Sequence, residues 1–209
     1  MVNKKSKFLD SKLYKAASVD HQVICDVVRA NTKILDLGCG DGTLMLLLKK
    51  LKNAKVQGVE LGEEAIYKCV EKGLHVFHSD IDGGLIEYPD NSFDYVILNE
   101  SMQEIKNVEY VLNEALRVGE SVIVGFPNFA HIRARFQLFF KEITPVTKSM
   151  PYKWYNTPNL HFLTIRDFID FCNEKNVIIE TEFFINKKQK VTILPSLFAT
   201  NAIFVIKKG

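Results

Sequence analysis

Four polar side chains stand where apolar runs of this 209-residue chain stop: Asp36 just ahead of Gly38-Cys39-Gly40-Asp41-Gly42, Glu60 after Val59, Asp80 after Ser79, and Asn99 after Leu98. Glycines let a backbone turn sharply and lie close to a bound molecule, and carboxylates at strand ends accept hydrogen bonds from hydroxyl and amino groups. The pattern describes a nucleoside site, and two ligand classes compete for it. A dinucleotide brings a pyrophosphate, which favours bare N–H groups and the Gly-x-Gly-x-x-Gly spacing. Here Gly42 comes one residue too early, and Asp36 and Asp41 set negative charge beside the turn. A nucleoside bearing a sulfonium and an ammonium gains charge-assisted hydrogen bonds from the same acids. The reading is therefore S-adenosylmethionine, or its product S-adenosylhomocysteine.

The remaining residues take roles in that site. The backbone of Gly38, Cys39 and Gly40 cradles the ligand. Glu60, about 20 residues past the first glycine, stands where such sites place the acceptor for ribose hydroxyls, with Leu61 beside it. Asp80 accepts from the adenine amino group while Ile81 packs on the ring, and Asn99 meets the methionyl end. A single acid before a turn usually caps a helix or is solvated. Four such groups at successive strand ends are another matter, because ligands of open α/β sheets bind at the carboxyl ends of strands.

Positioning these residues requires alternating strands and helices. Apolar runs predict strands over 33–37, 55–60, 76–78, 93–98 and 121–126, and amphipathic spacing predicts helices over 19–29, 43–52, 63–72 and 108–117. The stretch 80–92, with Gly83-Gly84 and Pro89, replaces a helix by a loop or one short turn. Thr164 with Asp167 three residues on reads as the start of a helix running to about 174. Strands over 177–185 and 202–207, the second antiparallel beside the first, complete a seven-stranded, mostly parallel Rossmann-like sheet of the class I methyltransferase type, with helices on both faces. Residues 1–18 read as a basic, mobile extension, and 19–209 as one domain with an aromatic and basic insertion at about 127–163.

Composition narrows the rest. A net charge of +2 argues for no obligatory nucleic-acid or membrane partner. Cys25, Cys39, Cys69 and Cys172 form no Cys-x-x-Cys pair and point to reduced cytoplasm. The longest aliphatic run, 44–48, is far short of the ~20 residues that cross a bilayer. His75-x-x-His78-x-Asp80 is not read as a metal site, because residues three apart on a strand face opposite ways.

Beyond 126, aromatics interleave with bases. Ile132, Phe136, Phe139 and Phe140 have helical spacing and are expected in the core. The stretch 152–159, which holds Tyr152, Tyr155, Asn159 and the chain's only tryptophan, Trp154, is expected to form an interface or lid. Asn128 and His131 join it as candidate partner or substrate contacts, and Glu100, Gln103 and His161 as residues that could face a substrate.

Several segments together carry a resemblance. Leu35-Asp36-Leu37-Gly38-Cys39-Gly40-Asp41-Gly42, Ser92-Phe93-Asp94-Tyr95-Val96-Ile97-Leu98, Leu116-Arg117-Val118-Gly119, Phe126-Pro127-Asn128-Phe129 and Pro151-Tyr152-Lys153-Trp154-Tyr155-Asn156-Thr157-Pro158-Asn159 resemble the methionine-biosynthesis protein MetW family. The glycine loop is common to many methyltransferases; the Phe-Pro-Asn-Phe and Pro-Tyr-x-Trp-Tyr-x-Thr-Pro-Asn segments are narrow. The likeness runs from about 19 to 184, and the lysine-rich start and the residues from about 186 depart from it. It implies a methyltransferase-like fold that binds S-adenosylmethionine and supports a homoserine O-acyltransferase of MetX type. The chain has no Gly-x-Ser-x-Gly elbow for acyl transfer and no Asn-Pro-Pro-Tyr box for base methylation. A methyltransferase acting on a small molecule is the competing reading.

Overall fold

A computed structural model of the protein describes residues 11–186 and 189–209. Its centre is β1 (Lys33–Leu37), buried along all but its first residue. Around it lie β2 (Lys55–Glu60), β3 (His75–His78), β4 (Phe93–Asn99) and β5 (Gly119–Pro127), all parallel. β8 (Asn201–Lys208) runs antiparallel between β5 and β6 (Val177–Asn186), so the order, with β7 (Gln189–Lys190) at the edge, is β3-β2-β1-β4-β5-β8-β6-β7. The eighth strand is the two-residue β7 (Gln189–Lys190), paired antiparallel to the end of β6. The sequence predicts seven strands because so short a pairing has no periodicity of its own.

The strands read as unbroken apolar runs because helices cover both faces. Side chains alternate between two cores. Leu35, Leu37, Val96, Leu98, Val122, Val124 and Phe204 pack with α4 (Val108–Val118) and α6 (Ile165–Glu174). Ile34, Tyr95, Ile97, Ile123, Ile203 and Val205 pack with α1 (Val19–Val27) and α2 (Thr43–Lys52). A third, smaller cluster joins Cys39 and Met45 to Cys69 of α3 (Glu63–Glu71) and Leu74. The helix start read from Thr164 and Asp167 forms a reciprocal cap: Asp167 N donates to Thr164 Oγ1 at 3.2 Å and Thr164 N to Asp167 Oδ2 at 2.8 Å. Such caps are each worth about 1 kcal/mol. α6 is then held by Phe168, whose ring lies 4.8 Å from Phe204 and 5.3 Å from Phe126.

Residues 11–16 are helical, and Leu13 and Tyr14 pack on the α1 and α2 core, so the domain begins earlier than residue 19. Tyr14 Oη also donates to Asp26 Oδ1 at 2.9 Å. The first ten residues of the expected basic extension lie outside the described residues. No helix among the described residues is long and apolar enough to cross a membrane. Strand order reverses between β2-β1 and β1-β4, and loops after β1, β2, β3 and β4 meet at the carboxyl edge, where an open α/β sheet binds its ligand.

Candidate functional site

The loop after β1 is shaped by what its glycines face. At Gly38 (φ +71°) a Cβ would lie 2.6 Å from Ser101 Cβ, so the β4 side closes directly on the loop. At Gly40 (φ +53°) nothing lies within 4 Å of the missing Cβ, which leaves an open cradle. Glu60 ties the loop together: its Oε2 accepts from Gly40 N at 2.8 Å, and its Oε1 from Leu61 N at 2.9 Å and Gly62 N at 2.8 Å. Cys39 does not line the site: its N donates to Val59 O at 3.2 Å, its sulfur occupies the place of a side chain at Gly58, and burial pushes its thiol far above the ordinary range.

A cleft of about 360 Å³ opens on this loop, lined by Gly38, Gly40, Glu60, Leu61, Asp80 and Ile81 from the expected set. Asp80 Oδ1 accepts from Asp82 N at 3.0 Å and so caps the 3-10 turn Ile81–Gly83, the short turn expected after β3. Asp82 in turn accepts from Lys106 N at 2.9 Å and Asn107 N at 3.1 Å, pinning the loop after β3 to the one after β4. Asp82, Glu100, Ser101, Glu104 and Lys106 also line the cleft. Of these, Asp82, Ser101, Glu104 and Lys106 were not read from sequence; their common signal is position just past a strand end. The charge is one-sided, with Glu60, Asp80, Asp82, Glu100 and Glu104 against Lys106. Burial raises Glu104, and so does Glu60. Such walls repel a pyrophosphate and suit a cationic nucleoside.

The two loop acids behave differently from expectation. Asp41 points away from the cleft: Lys72 Nζ holds its Oδ2 at 2.8 Å and Thr43 N donates to its Oδ1 at 3.0 Å, which lowers its carboxyl to about 2. Asp36 is 2% exposed, its Oδ2 has no hydrogen-bond partner among the described residues, and burial reinforced by Glu60 raises its carboxyl to about 7. The acids that line the cleft are therefore Glu60, Asp80, Asp82, Glu100 and Glu104, and neither Asp36 nor Asp41 is among them. An orphaned carboxylate oxygen buried behind a ligand loop is the kind of group that calls for a functional account.

Asn99 does not line the cleft. Its Nδ2 donates to Asp20 Oδ2 at 3.0 Å and its Oδ1 fills the space left by Gly125, because it lies at the end of β4 beside β5 and α1. Asn128 is likewise no surface residue: fully buried, it donates from Nδ2 to Ala199 O at 3.0 Å and Ser196 O at 3.1 Å, locking α7 (Pro195–Phe198) to the end of β5. His131 is mostly buried and starts α5 (Ile132–Lys141), its Nδ1 accepting from Arg133 N at 3.2 Å.

The aromatic segment reverses another expectation. Only Ala134 of α5 is buried; Phe136, Phe139 and Phe140 are exposed, with Phe139 at 79%. Their rings contact one another, 4.7 Å between Phe136 and Phe140 and 4.9 Å between Phe139 and Phe140, instead of the sheet. Helical spacing specifies an apolar face without specifying what covers it. Tyr152, Trp154 and Tyr155 are also exposed, with Trp154 and Tyr155 edge to face at 5.6 Å, while Asn159 is half-buried. Leu160 N and His161 N donate to Gln103 O at 2.8 and 3.1 Å, seating that loop on the segment after β4. Among the described residues no three His, Cys, Asp or Glu side chains gather as metal ligands.

Sheet order, glycine loop and acidic cleft define a methyltransferase-like α/β protein. Solved structures agree in fold: a SAM-dependent methyltransferase from Archaeoglobus fulgidus superposes with a TM-score of 0.63 at 17% identity, covering 97% of this chain and 94% of that one. The [4+2]-cyclase SpnF superposes with a TM-score of 0.64 at 14% identity, covering 90% and 80%. The chain belongs to the methionine biosynthesis protein MetW family, whose model matches residues 18–206. It is 35% identical over 187 residues to the bifunctional methionine biosynthesis protein MetXA/MetW of Rhodopirellula baltica, covering 85% of this chain and 30% of that protein. It is 26% identical over 152 residues to demethylmenaquinone methyltransferase of Staphylococcus aureus, covering 65% and 63%. It thus spans under a third of the first relative and under two thirds of the second.

Proposed function

We propose that this chain binds S-adenosylmethionine or S-adenosylhomocysteine in the cleft and serves as an accessory, regulatory partner of a MetX-type homoserine O-acyltransferase in the cytoplasm. The open cradle at Gly40 and the acidic walls suit the cofactor. Asp80 and Ile81 would hold the adenine, and Glu60 would exchange part of its backbone hydrogen bonds for the ribose hydroxyls. Bound S-adenosylmethionine supplies a methyl group on a sulfonium.

The observation that carries the accessory role is the exposed aromatic face of α5 with Trp154 and Tyr155. Phe136, Phe139 and Phe140 form one exposed ring cluster and Trp154 and Tyr155 another, and interfaces are enriched in these residue types. The joined MetXA/MetW relative supports the identity of the partner. Co-purification of the two proteins, with acyltransferase rates measured with and without this chain, tests the proposal. A complex and an altered rate are expected; no complex and an unchanged rate would sink it.

A second reading, a methyltransferase acting on a small molecule, draws on Glu100, a carboxylate in the cleft that burial and Asp20 raise above the ordinary range. Release of S-adenosylhomocysteine with a defined acceptor would favour it over the accessory role.

A further inference from the structure

A second cavity of about 510 Å³ adjoins the first and shares Glu100 with it. It draws Asp20 from α1, Glu100 from the end of β4, Arg133 from α5, Lys148 from the following loop and Asn201 from β8. That volume lies within the range of small-molecule sites, roughly 300–1,000 Å³.

The charges in it are not spent on one another. Asn99 Nδ2 donates to Asp20 Oδ2 at 3.0 Å and Asn201 Nδ2 donates to Glu100 Oε1 at 2.9 Å, so a neutral amide steers each acid. Among the described residues neither acid has a lysine or arginine within ion-pair distance; Asp20 has only His21, at 3.8 Å. Among the described residues Arg133 and Lys148 stand in no ion pair either. Opposite charges that line one cavity without closing on each other leave room for a ligand that pairs with both.

Glu100 adds a backbone observation. It is a non-glycine residue at φ +60°, a strained conformation, held there by its N–H donating to Gly125 O at 2.8 Å. Strain of this kind persists where the surrounding structure imposes it, often at ligand sites. Here it turns the carboxylate to the junction of the two cavities.

We propose that the second cavity binds a small zwitterion with amino-acid ends, its ammonium against Asp20 and Glu100 and its carboxylate against Arg133 and Lys148. A simple anion would face two carboxylates, and a simple cation would leave the basic pair unmet. The proposal stands whether or not the neighbouring cleft takes S-adenosylmethionine.

The test is calorimetry on the full chain with the standard L-amino acids at millimolar concentration. L-leucine, 3-methylbutylamine and 4-methylpentanoate form one matched set of zwitterion, amine and acid, and equivalent analogues are made for any amino acid that binds. We expect at least one amino acid to bind, and its amine and acid analogues each to bind at least tenfold more weakly. Asp20→Asn, which keeps an acceptor for Asn99, and the surface changes Arg133→Ala and Lys148→Ala should each weaken binding by about tenfold. Saturating S-adenosylhomocysteine should not displace the amino acid. Absence of binding by every amino acid, one-charge analogues that bind as tightly, variants that bind normally, or displacement by S-adenosylhomocysteine would each overturn the proposal. S-adenosylhomocysteine titrated alone reports separately on the cofactor cleft.

Discussion

Asp36→Asn isolates the electrostatic cost at the heart of the glycine loop. The Asp36 carboxyl is buried, raised from 3.8 to about 7, and its Oδ2 has no hydrogen-bond partner among the described residues. Because the folded-state value is the higher one, the unfolded chain releases this proton first. Stability is therefore full below about pH 4, falls as pH climbs toward 7, and levels off above it. At about 1.4 kcal/mol per tenfold change in proton affinity, the interval corresponds to at most about 4 kcal/mol. Asparagine is uncharged throughout, but burying its amide where the carboxyl oxygen it replaces has no hydrogen-bond partner among the described residues costs about 1–3 kcal/mol at every pH. The variant is thus expected to be less stable than the wild type near pH 4.5 and more stable near pH 8.5, a swing of a few kcal/mol. Urea unfolding of both proteins at the two pH values measures it, with slopes compared to confirm that the same surface is exposed. The diagnostic is the swing, since the amide penalty cancels from it. A stability difference constant within about 1 kcal/mol across pH would refute the reasoning.

Three other outcomes are expected. Gly40→Ala puts a methyl group in the open cradle at a left-handed φ; it should cost about 1 kcal/mol of stability and abolish S-adenosylhomocysteine binding by calorimetry, so unchanged affinity would remove the loop from the site. Arg117→Ala removes a guanidinium that donates to the carbonyls of Tyr88 and Leu85 and to Glu114 and Asp90; a loss of about 2–4 kcal/mol and faster proteolysis within 84–92 should follow, read by urea unfolding and timed digestion. Replacing Phe139 and Phe140 together by serine should leave thermal stability nearly unchanged, because neither ring is in the core, and abolish co-purification with the acyltransferase.

The reach of sequence reasoning differs between the two halves of the chain. β1, α2 and β2 fall on their predicted spans because each joins a repeating apolar period to local stop signals, glycine before α2 and Asn53 in left-handed conformation after it. Gly38, Gly40, Glu60, Asp80 and Ile81 gather at one cleft because parallel strands in register deliver their ends to one edge. Asn99 stands at the same edge yet turns to Asp20, a partner 79 residues away that no local pattern announces. Phe136 and Phe139 have a core helix's spacing and no core to fill, while polar Asn128 is buried because three partners wait for its amide: the Ser196 and Ala199 carbonyls and the Ala130 N–H.

From its sequence alone, then, this protein's alternating sheet, its glycine turn and the acids at its strand ends were determined, since backbone period, turn geometry and parallel pairing are local or repeat along the chain. Only tertiary structure decided that Asp41 would be spent on Lys72, that Asp36 Oδ2 would be buried with no hydrogen-bond partner among the described residues, that α5 would show its rings to solvent, and that Asp20, Glu100, Arg133 and Lys148 would face one cavity. Those outcomes depend on distances between segments far apart in the chain, which charge and burial respond to and which residue order does not encode locally.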